Sequence, residues 1–472
     1  MLRKAAPVRV ALCHPSTYRV AMSSLGFQSI YREINLHTDA CAERAFVPDD
    51  PDQYRRNRMP VLTYESETPL SHFPVIAFSI AYELELPGIF EILDLCGIPS
   101  LRRERTEQHP LIIAGGPLTN SNPVILAPFA DLIFVGEGEN FVHTLLEEFP
   151  GAKRDDLLSR LSAIPGVYVP GVTAEMPQAA RAADFSLPAY SQILTANTVL
   201  ASMFLIEPER GCSRSCTYCV MRRTDRHGMR LVPPEKVLSL IPEEARRVGL
   251  VGAAVTDHLQ IERLVSEIVA GGREIGVSSL RADRLTGNLV RALAQGGNRT
   301  LTTASDGASQ RLRNQVDRRT SERHLIRAAE FVRDTGMHRL KLYEMVGLPG
   351  ETQEDIDELV RFSLELSRIA PVSLGISPFV AKRNTPLDGA LFEPISSINA
   401  KLARIRLGVK GMVEVRPASA RWAWVEYMLS QCGEAAGLAA LDAWKAGGGF
   451  TEWKRAFNKR EIKPECGGKA HL

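Results

Sequence analysis

Short apolar runs separated by stretches of helical periodicity govern what this chain can fold into. Over residues 1–150 the runs are Val8–Leu12, Val75–Ile80, Leu111–Ala114 and Asp131–Val135. A run that is apolar at nearly every position, rather than at alternate ones, suits a parallel strand buried on both faces by helices. Between the runs, Ile89, Ile92, Leu93 and Cys96 fall at i, i+3, i+4 and i+7, and Val142, Leu145 and Leu146 repeat that face after the last run. The expected fold is α/β, opening with a doubly wound, Rossmann-like sheet domain over residues 1–150. Ligands of such sheets sit beyond the carboxyl ends of the strands, where Gly115-Gly116-Pro117 and Gly136-Glu137-Gly138-Glu139 fall. The same glycines also suit tight strand-to-helix turns, and spacing alone does not separate the two readings.

Residues 151–199 lack a sustained period and read as a linker. From Phe204 the alternation resumes, with candidate strands at Phe204–Glu207, Gly252–Thr256, Val277–Leu280, Leu301–Ala304, Leu340–Met345 and Val372–Ser377. Pro233-Pro234 suits a helix start, and Thr352-x-x-Asp355 suits a capping box. Six βα units over 200–390 predict a partial (β/α)6 barrel rather than a closed eightfold one. Residues 391–472 read as helical, with Trp422, Trp424, Trp444 and Trp453 as core anchors and a loose tail.

No uninterrupted apolar run reaches the roughly 18 residues of a membrane span, and the start lacks a signal-peptide pattern. The cytoplasm is therefore the expected location. The 57 basic and 55 acidic side chains leave a formal charge of +2, which excludes an overall polycation. Basic clusters at Arg55-Arg56-Asn57-Arg58, Leu101-Arg102-Arg103-Glu104-Arg105 and Met221-Arg222-Arg223 read as solvated faces. A nucleic-acid partner is correspondingly disfavoured.

Eight cysteines are too sparse for a disulfide scaffold, and three of them, Cys212, Cys216 and Cys219, lie in a C-x3-C-x2-C spacing directly after a predicted strand. Thiolates so close repel one another unless a metal neutralises them. A structural zinc ion takes four ligands, and His227 is the nearest candidate for the fourth. An iron–sulfur cluster held by three thiolates leaves one iron open for chemistry.

With Tyr218 before its last cysteine, this segment resembles the cluster loop of the radical S-adenosylmethionine superfamily. The resemblance continues through VSSLRADRL, TTASDGASQRLR, LKLYEMVGLPGET and GISPFVAKRNTPL, which are similar to strand-end segments of the branch shared with methylthiotransferases and cobalamin-type radical enzymes. It implies that Cys212, Cys216 and Cys219 ligate a 4Fe-4S cluster whose remaining iron is chelated by S-adenosylmethionine. Reductive cleavage would then give methionine and a 5′-deoxyadenosyl radical. Tyr218, Thr256, Asp257, Ser279, Arg281 and Asp306 match positions that bind S-adenosylmethionine in the family. Two departures stand out: Ser305-Asp306-Gly307-Ala308 where the branch often has Pro-Glu-Ala-Gly, and Tyr343-Glu344-Met345 where it often has Tyr-Phe-Met. Glu344 and Asp306 are thus candidate catalytic residues, although Glu344 is equally expected to face a helix and pair there.

The stretch IIAGGPLTNSNPVILAPFADLIFVGEGE resembles the sheet domain preceding the barrel in cobalamin-dependent radical enzymes. It implies a corrinoid at the strand ends, at Gly115, Gly116, Gly136, Glu137 and Gly138. The Asp-x-His-x-x-Gly lower-ligand pattern is absent, His14 being the nearest histidine, and a sheet domain that binds no corrinoid is the competing reading. Cys13, Cys41 and Cys96 match a second cluster only in number. The expected function is cobalamin-dependent methylation of an unactivated carbon in a small-molecule, lipid or peptide substrate, with an external electron donor such as flavodoxin or ferredoxin. Corrinoid-linked cyclisation, rearrangement or carbon–carbon coupling is the alternative, followed by a tRNA-modifying methylthiotransferase. A cluster-bearing electron-transfer or regulatory protein is the non-catalytic reading. Cys466 in the tail reads as a free thiol.

Overall fold

The computed structural model describes residues 4–221, 228–278 and 280–464. The chain up to Ser202 and the segment from Met428 form one unit, and Met203–Tyr427 forms the other.

The first unit is built on β1 (Val8–Thr17), β2 (Ala40–Val47), β3 (Val75–Ser79), β4 (Leu111–Gly115), β5 (Leu132–Phe134) and β6 (Val167–Tyr168). They lie in the order β2-β1-β3-β4-β5-β6, parallel except for the antiparallel β5–β6 pair. The order reverses between β1 and β3, which marks a topological switch point. Phe27 and Ile34 of helix Leu25–Leu36, and Phe141 and Leu145 of helix Glu139–Glu148, share one buried core with Val10, Leu12, Val75 and Leu111. Each such side chain removed from water contributes roughly 1.5–3 kcal/mol, which is what holds these helices to the sheet. The doubly wound expectation is met, with two differences.

β2 was not anticipated because Glu43 and Arg44 interrupt its sequence, ACAERAFV. Both charges are buried but partnered: Arg44 Nε lies 2.6 Å from Glu65 Oε1, and Glu43 takes Arg9 at 2.7 Å and the Thr63 hydroxyl at 2.6 Å. A paired charge tolerates burial that an isolated one does not. The second difference concerns residues 151–199, expected as a linker. Helix Arg154–Leu161 buries Leu157 and Leu161 in the sheet's core, and β6 extends the sheet.

The C-terminal segment was expected to be a helical region of its own. Its part beyond Met428 instead completes the first unit. Asn122 Nδ2 donates to the carbonyls of Leu429 and Cys432, both at 2.7 Å, and Ser430 Oγ donates to Glu83 at 2.6 Å. Helix Glu434–Lys445 approaches Ile125 so closely that a Cβ at Gly437 would collide with the Ile125 carbonyl.

The second unit has β7 (Met203–Ile206), a short antiparallel pair β8 (Glu209–Arg210) and β9 (Arg230–Leu231), then β10 (Arg247–Leu250), β11 (Glu274–Val277), β12 (Thr300–Ala304), β13 (Arg339–Val346), β14 (Val372–Pro378) and β15 (Val413–Pro417). Two all-parallel sheets result, β11-β10-β7 and β12-β13-β14-β15. Among the described residues no ladder joins β11 to β12. Thr303 Oγ1 donates to the Leu280 carbonyl and Asn298 Nδ2 to the Ile275 carbonyl, each at 2.6 Å, across that seam.

The second and third strands begin earlier than expected. In RVGLVGAAV the apolar run continues past the strand, but only Arg247–Leu250 finds partners on both sides, in β7 and β11. Val255–Asp257 is left as a single turn of 3-10 helix. The expected capping box is present at Thr352 and Asp355, opening helix Gln353–Ser367. β15, which read as helix, is a seventh parallel strand paired with β14.

Candidate active site

Strand β7 delivers the chain to the cysteine loop, and the polar residues between the cysteines are tied to three other places in the second unit: Asp257, the Val316-Asp317 pair and Asp306. Ser213 Oγ and Arg214 bond the Asp257 carboxylate, the guanidinium in a fork with both distances 2.8 Å. Ser215 Oγ donates to the Asp317 carboxylate, and the Thr217 amide donates to the Val316 carbonyl at 3.1 Å. Tyr218 OH donates to Asp306 Oδ2 at 2.7 Å. The alternation of cysteine and hydrogen-bonding residue in CSRSCTYC is therefore structural as well as chemical.

Cys212, Cys216 and Cys219 open onto one cavity of about 340 Å3, whose wall also includes Arg214, Tyr218, Ser278, Arg281, Thr302, Arg318 and Tyr343. Burial, then the neighbouring thiols, push the Cys212 thiol above its ordinary range. Burial dominates at Cys219 as well, with Cys216 and Asp306 adding to the rise. Thiols that resist ionisation side by side, as Cys212 and Cys219 do, are suited to a cationic group that replaces their protons. Among the described residues no three His, Cys, Asp or Glu side chains converge on a point fit for a single metal ion. A 4Fe-4S cluster makes a different demand, since each cysteine takes a separate iron. The donor set, three cysteines and no described fourth ligand, fits that cluster; His227 lies outside the described residues.

Three guanidinium groups share the cavity wall, and each is held by acid. Arg214 is paired with Asp257 and lies 3.4 Å from Asp283; Arg281 lies 3.1 Å from Asp283; Arg318 Nε lies 2.9 Å from Asp306. Against the upward push of burial, Arg214 holds the Asp257 carboxyl below its usual range. Burial and the Asp306 charge raise the Tyr218 hydroxyl far above its ordinary value, so it stays a donor.

Of the residues expected to bind S-adenosylmethionine, Tyr218 and Arg281 are on the cavity wall. Thr256, Asp257 and Asp306 stand behind it: Thr256 Oγ1 accepts from the Arg281 amide at 3.0 Å, and the two carboxylates hold Arg214, Tyr218 and Arg318. Ser279 lies outside the described residues; its neighbour Ser278 is on the wall. Arg214, Arg318, Thr302 and Tyr343 escaped the sequence reading. Arg214 carries a local signal, since it sits between two of the cysteines.

Glu344 faces away from the cavity. Along β13, Leu340, Leu342, Glu344 and Val346 are buried on one face, while Tyr343 turns to the cavity from the other. The Glu344 carboxyl accepts from Ser305 Oγ, its Oε2 has no hydrogen-bond partner, and burial raises its pKa to about 8. Of the two expectations for Glu344, the outward one holds. Arg313, 1% exposed, is the nearby cation that partly offsets the burial.

In the first unit the glycines expected to cradle a corrinoid are engaged with the chain itself. Gly116, at φ 103°, packs so tightly that a Cβ would sit 2.7 Å from the Ile80 amide nitrogen. A Cβ at Gly136, at φ 111°, would collide with the Ala180 backbone, and Glu137 accepts from the Ala182 amide at 2.8 Å. Gly138 packs on Ile30, and Gly115 alone of the four glycines has ordinary space. These residues do not fit a corrinoid cradle. His14, 3% exposed, lies inside β1 edge-on to Phe27; burial lowers its pKa to about 4 and its Nδ1 has no partner. In the basic clusters Arg56, Arg58 and Arg103 are exposed, as expected of solvated faces, while Arg55 binds Glu91 at 2.6 Å and Arg105 is buried against Asp131 at 3.1 Å. Arg222, Arg223 and Cys466 lie outside the described residues.

Residues 26–170 match the family described as radical SAM proteins, N-terminal, and residues 206–363 match the radical SAM superfamily. The uncharacterized protein MJ0966 of Methanocaldococcus jannaschii is 25% identical over 411 residues, covering 85% of this chain and 84% of its own. Among solved structures, the cobalamin-dependent S-adenosylmethionine radical enzyme OxsB with aqua-cobalamin and S-adenosylmethionine bound aligns with TM-score 0.56 at 17% identity, over 78% of this chain and 53% of that one. The form with aqua-cobalamin alone gives 0.55, again at 17% identity and with the same coverage. This chain thus spans about half the length of OxsB, and the likeness is one of fold.

Proposed function

Because the chain belongs to the radical S-adenosylmethionine superfamily, we propose that it cleaves S-adenosylmethionine reductively in the cavity beneath Cys212, Cys216 and Cys219 and applies the resulting radical to a substrate carbon. The observation carrying this reading is the opening of all three cysteines onto one cavity walled by Arg214, Arg281 and Arg318. The cluster, when bound, supplies the electron that breaks the sulfonium bond. The chain's own part is to hold and screen. The cysteines exchange their protons for iron, and the Asp257 and Asp317 contacts fix the loop that presents them. The guanidinium groups place positive charge opposite the thiolates and offer donors to a carboxylate. Anaerobic protein with a strong reductant should form 5′-deoxyadenosine, and Cys216→Ala should abolish it. A wild type with an intact cluster that makes none overturns the proposal.

The finer reading is a cobalamin-dependent methyltransferase. It is supported by the fold likeness to OxsB and by the switch point between β1 and β3, where Val20 is 48% and Tyr82 46% exposed. Apolar side chains exposed at such a crevice suit the flat face of a corrin ring, and Val20 and Tyr82 would hold it there in place of the closed glycine turns. Bound there, cobalamin would supply a transferable methyl group. Retention of corrinoid after reconstitution tests the binding. Product mass separates methyl transfer from cyclisation, rearrangement or coupling. An external electron donor is part of the proposal. The near-balance of 57 basic and 55 acidic side chains argues against a tRNA substrate, and no described helix is long and apolar enough to cross a membrane.

A further inference from the structure

We infer that Asp306 is a positioning residue that sets the shape of the cavity through Tyr218 and Arg318 rather than by touching what binds there. Three observations carry this, and it rests on the reading that S-adenosylmethionine occupies the cavity. First, both partners of its carboxylate, Tyr218 at 2.7 Å and Arg318 at 2.9 Å, line the cavity, while Asp306 does not. One acid thus joins two wall residues from opposite sides: Tyr218 arrives with the cysteine loop, and Arg318 follows helix Gln310–Gln315.

Second, the backbone at Asp306 is held in a conformation that L residues rarely adopt, with φ 60°. Its surroundings over-determine that conformation. The Ser305 and Asp306 amides both donate to the Tyr343 carbonyl, at 3.0 and 3.3 Å. Arg313 Nη1 donates to the Gly307 carbonyl at 3.0 Å, and Ser305 Oγ donates to the buried Glu344. Strain that persists because the structure around it fixes the geometry is a mark of a functional constraint.

Third, Arg318 is doubly fixed, its Nη2 donating to the Ala304 carbonyl at 3.2 Å while its Nε faces Asp306. A guanidinium ordered in this way loses less freedom when it meets an anion, which raises affinity without a new contact. Asp306 therefore acts on the bound molecule through Arg318 and on the cysteine loop through Tyr218. The Asp257 and Asp317 contacts hold the remainder of the loop independently, so loss of Asp306 leaves the cysteines anchored.

The test is equilibrium binding of S-adenosylmethionine to anaerobically reconstituted holoprotein, with iron and sulfide content and the electron paramagnetic resonance signal of the reduced cluster measured alongside. Asp306→Asn should retain the wild-type iron content and bind S-adenosylmethionine roughly tenfold more weakly, the effect of losing one charge-assisted interaction. The shift in the cluster signal on binding should shrink with it. Asp306→Glu, which keeps the charge, should recover most of the affinity. Tyr218→Phe should give a smaller loss that does not add in full to that of Asp306→Asn. Unchanged affinity in Asp306→Asn overturns the inference, as does loss of iron in step with affinity, or an Asp306→Glu variant no better than the Asn. A wild type that binds S-adenosylmethionine without cleaving it refutes the proposed function and leaves this comparison intact; one that binds none overturns both.

Discussion

The carboxyl ends of the parallel strands are finished by different means in the two units. In the second unit the turns after β7, β10 and β12 send out polar side chains that bind one another and leave a cavity of about 340 Å3 between them. In the first unit the turns after β4 and β5 are glycines whose close approach is met by the backbone at Ile80 and Ala180. Side chains brace a space at a distance, whereas glycine lets backbone close it. Similar topology thus does not guarantee a ligand site at every strand end, and the residue type at the turn decides.

The largest expected effect breaks the side-chain scaffold. Asp257→Ala leaves Arg214 without its fork, and loss of one partner from so buried a pair should cost about 3–5 kcal/mol in denaturant unfolding. A cost below about 1 kcal/mol would mean that the ion pairs decorate the cavity without holding it. Next, Gly136→Ala tests the glycine closure: a positive φ and collision with Ala180 should cost about 2–3 kcal/mol, with 5′-deoxyadenosine formation by the folded protein unchanged.

A pH dependence follows from Glu344. Its carboxyl titrates near 8 in the folded chain against an ordinary 4.5, so the native state holds the extra proton between those values. The contribution of Glu344 to stability is therefore full below about 4.5, declines as the pH rises toward 8 and is flat above. Glu344→Gln should lack this decline, so the variant gains on the wild type across that window in melting temperature. Parallel curves would show that the buried carboxyl is not strained. The smallest effect is at Gly115→Ala, where the nearest atom to a new Cβ is 3.8 Å away. It should be neutral or stabilising by about 0.5 kcal/mol, the opposite of Gly136→Ala at a neighbouring strand end.

Much of this was legible in the sequence, and the failures have physical causes. Apolar runs located most strands because burial on two faces leaves a continuous signal. β2 was hidden because Arg44 and Glu43 obtain their partners from Glu65 and Arg9, which local pattern cannot show. The cysteine spacing pointed to the cavity, and Tyr218 and Arg281 are on its wall. Asp257 and Asp306 read as contacts because a strand-end carboxylate looks alike whether it meets a ligand or a guanidinium. The difference lies in Arg214 and Arg318, which reach them across 43 and 12 residues. The glycines after β4 and β5 stayed ambiguous because their neighbours, Ile80 and Ala180, are remote in sequence.

The first unit is begun before the second and closed after it. Ile125, Phe90 and Phe129 wait for helix Glu434–Lys445, and Asn122 waits for the carbonyls of Leu429 and Cys432. On a ribosome, where domains form as their sequence emerges, the nascent sheet must stay open while the whole of the second unit is made. A chain truncated near Ser202 should therefore expose that surface and aggregate, and the segment from Met428 works as a clasp that closes the first unit only once the second has been made.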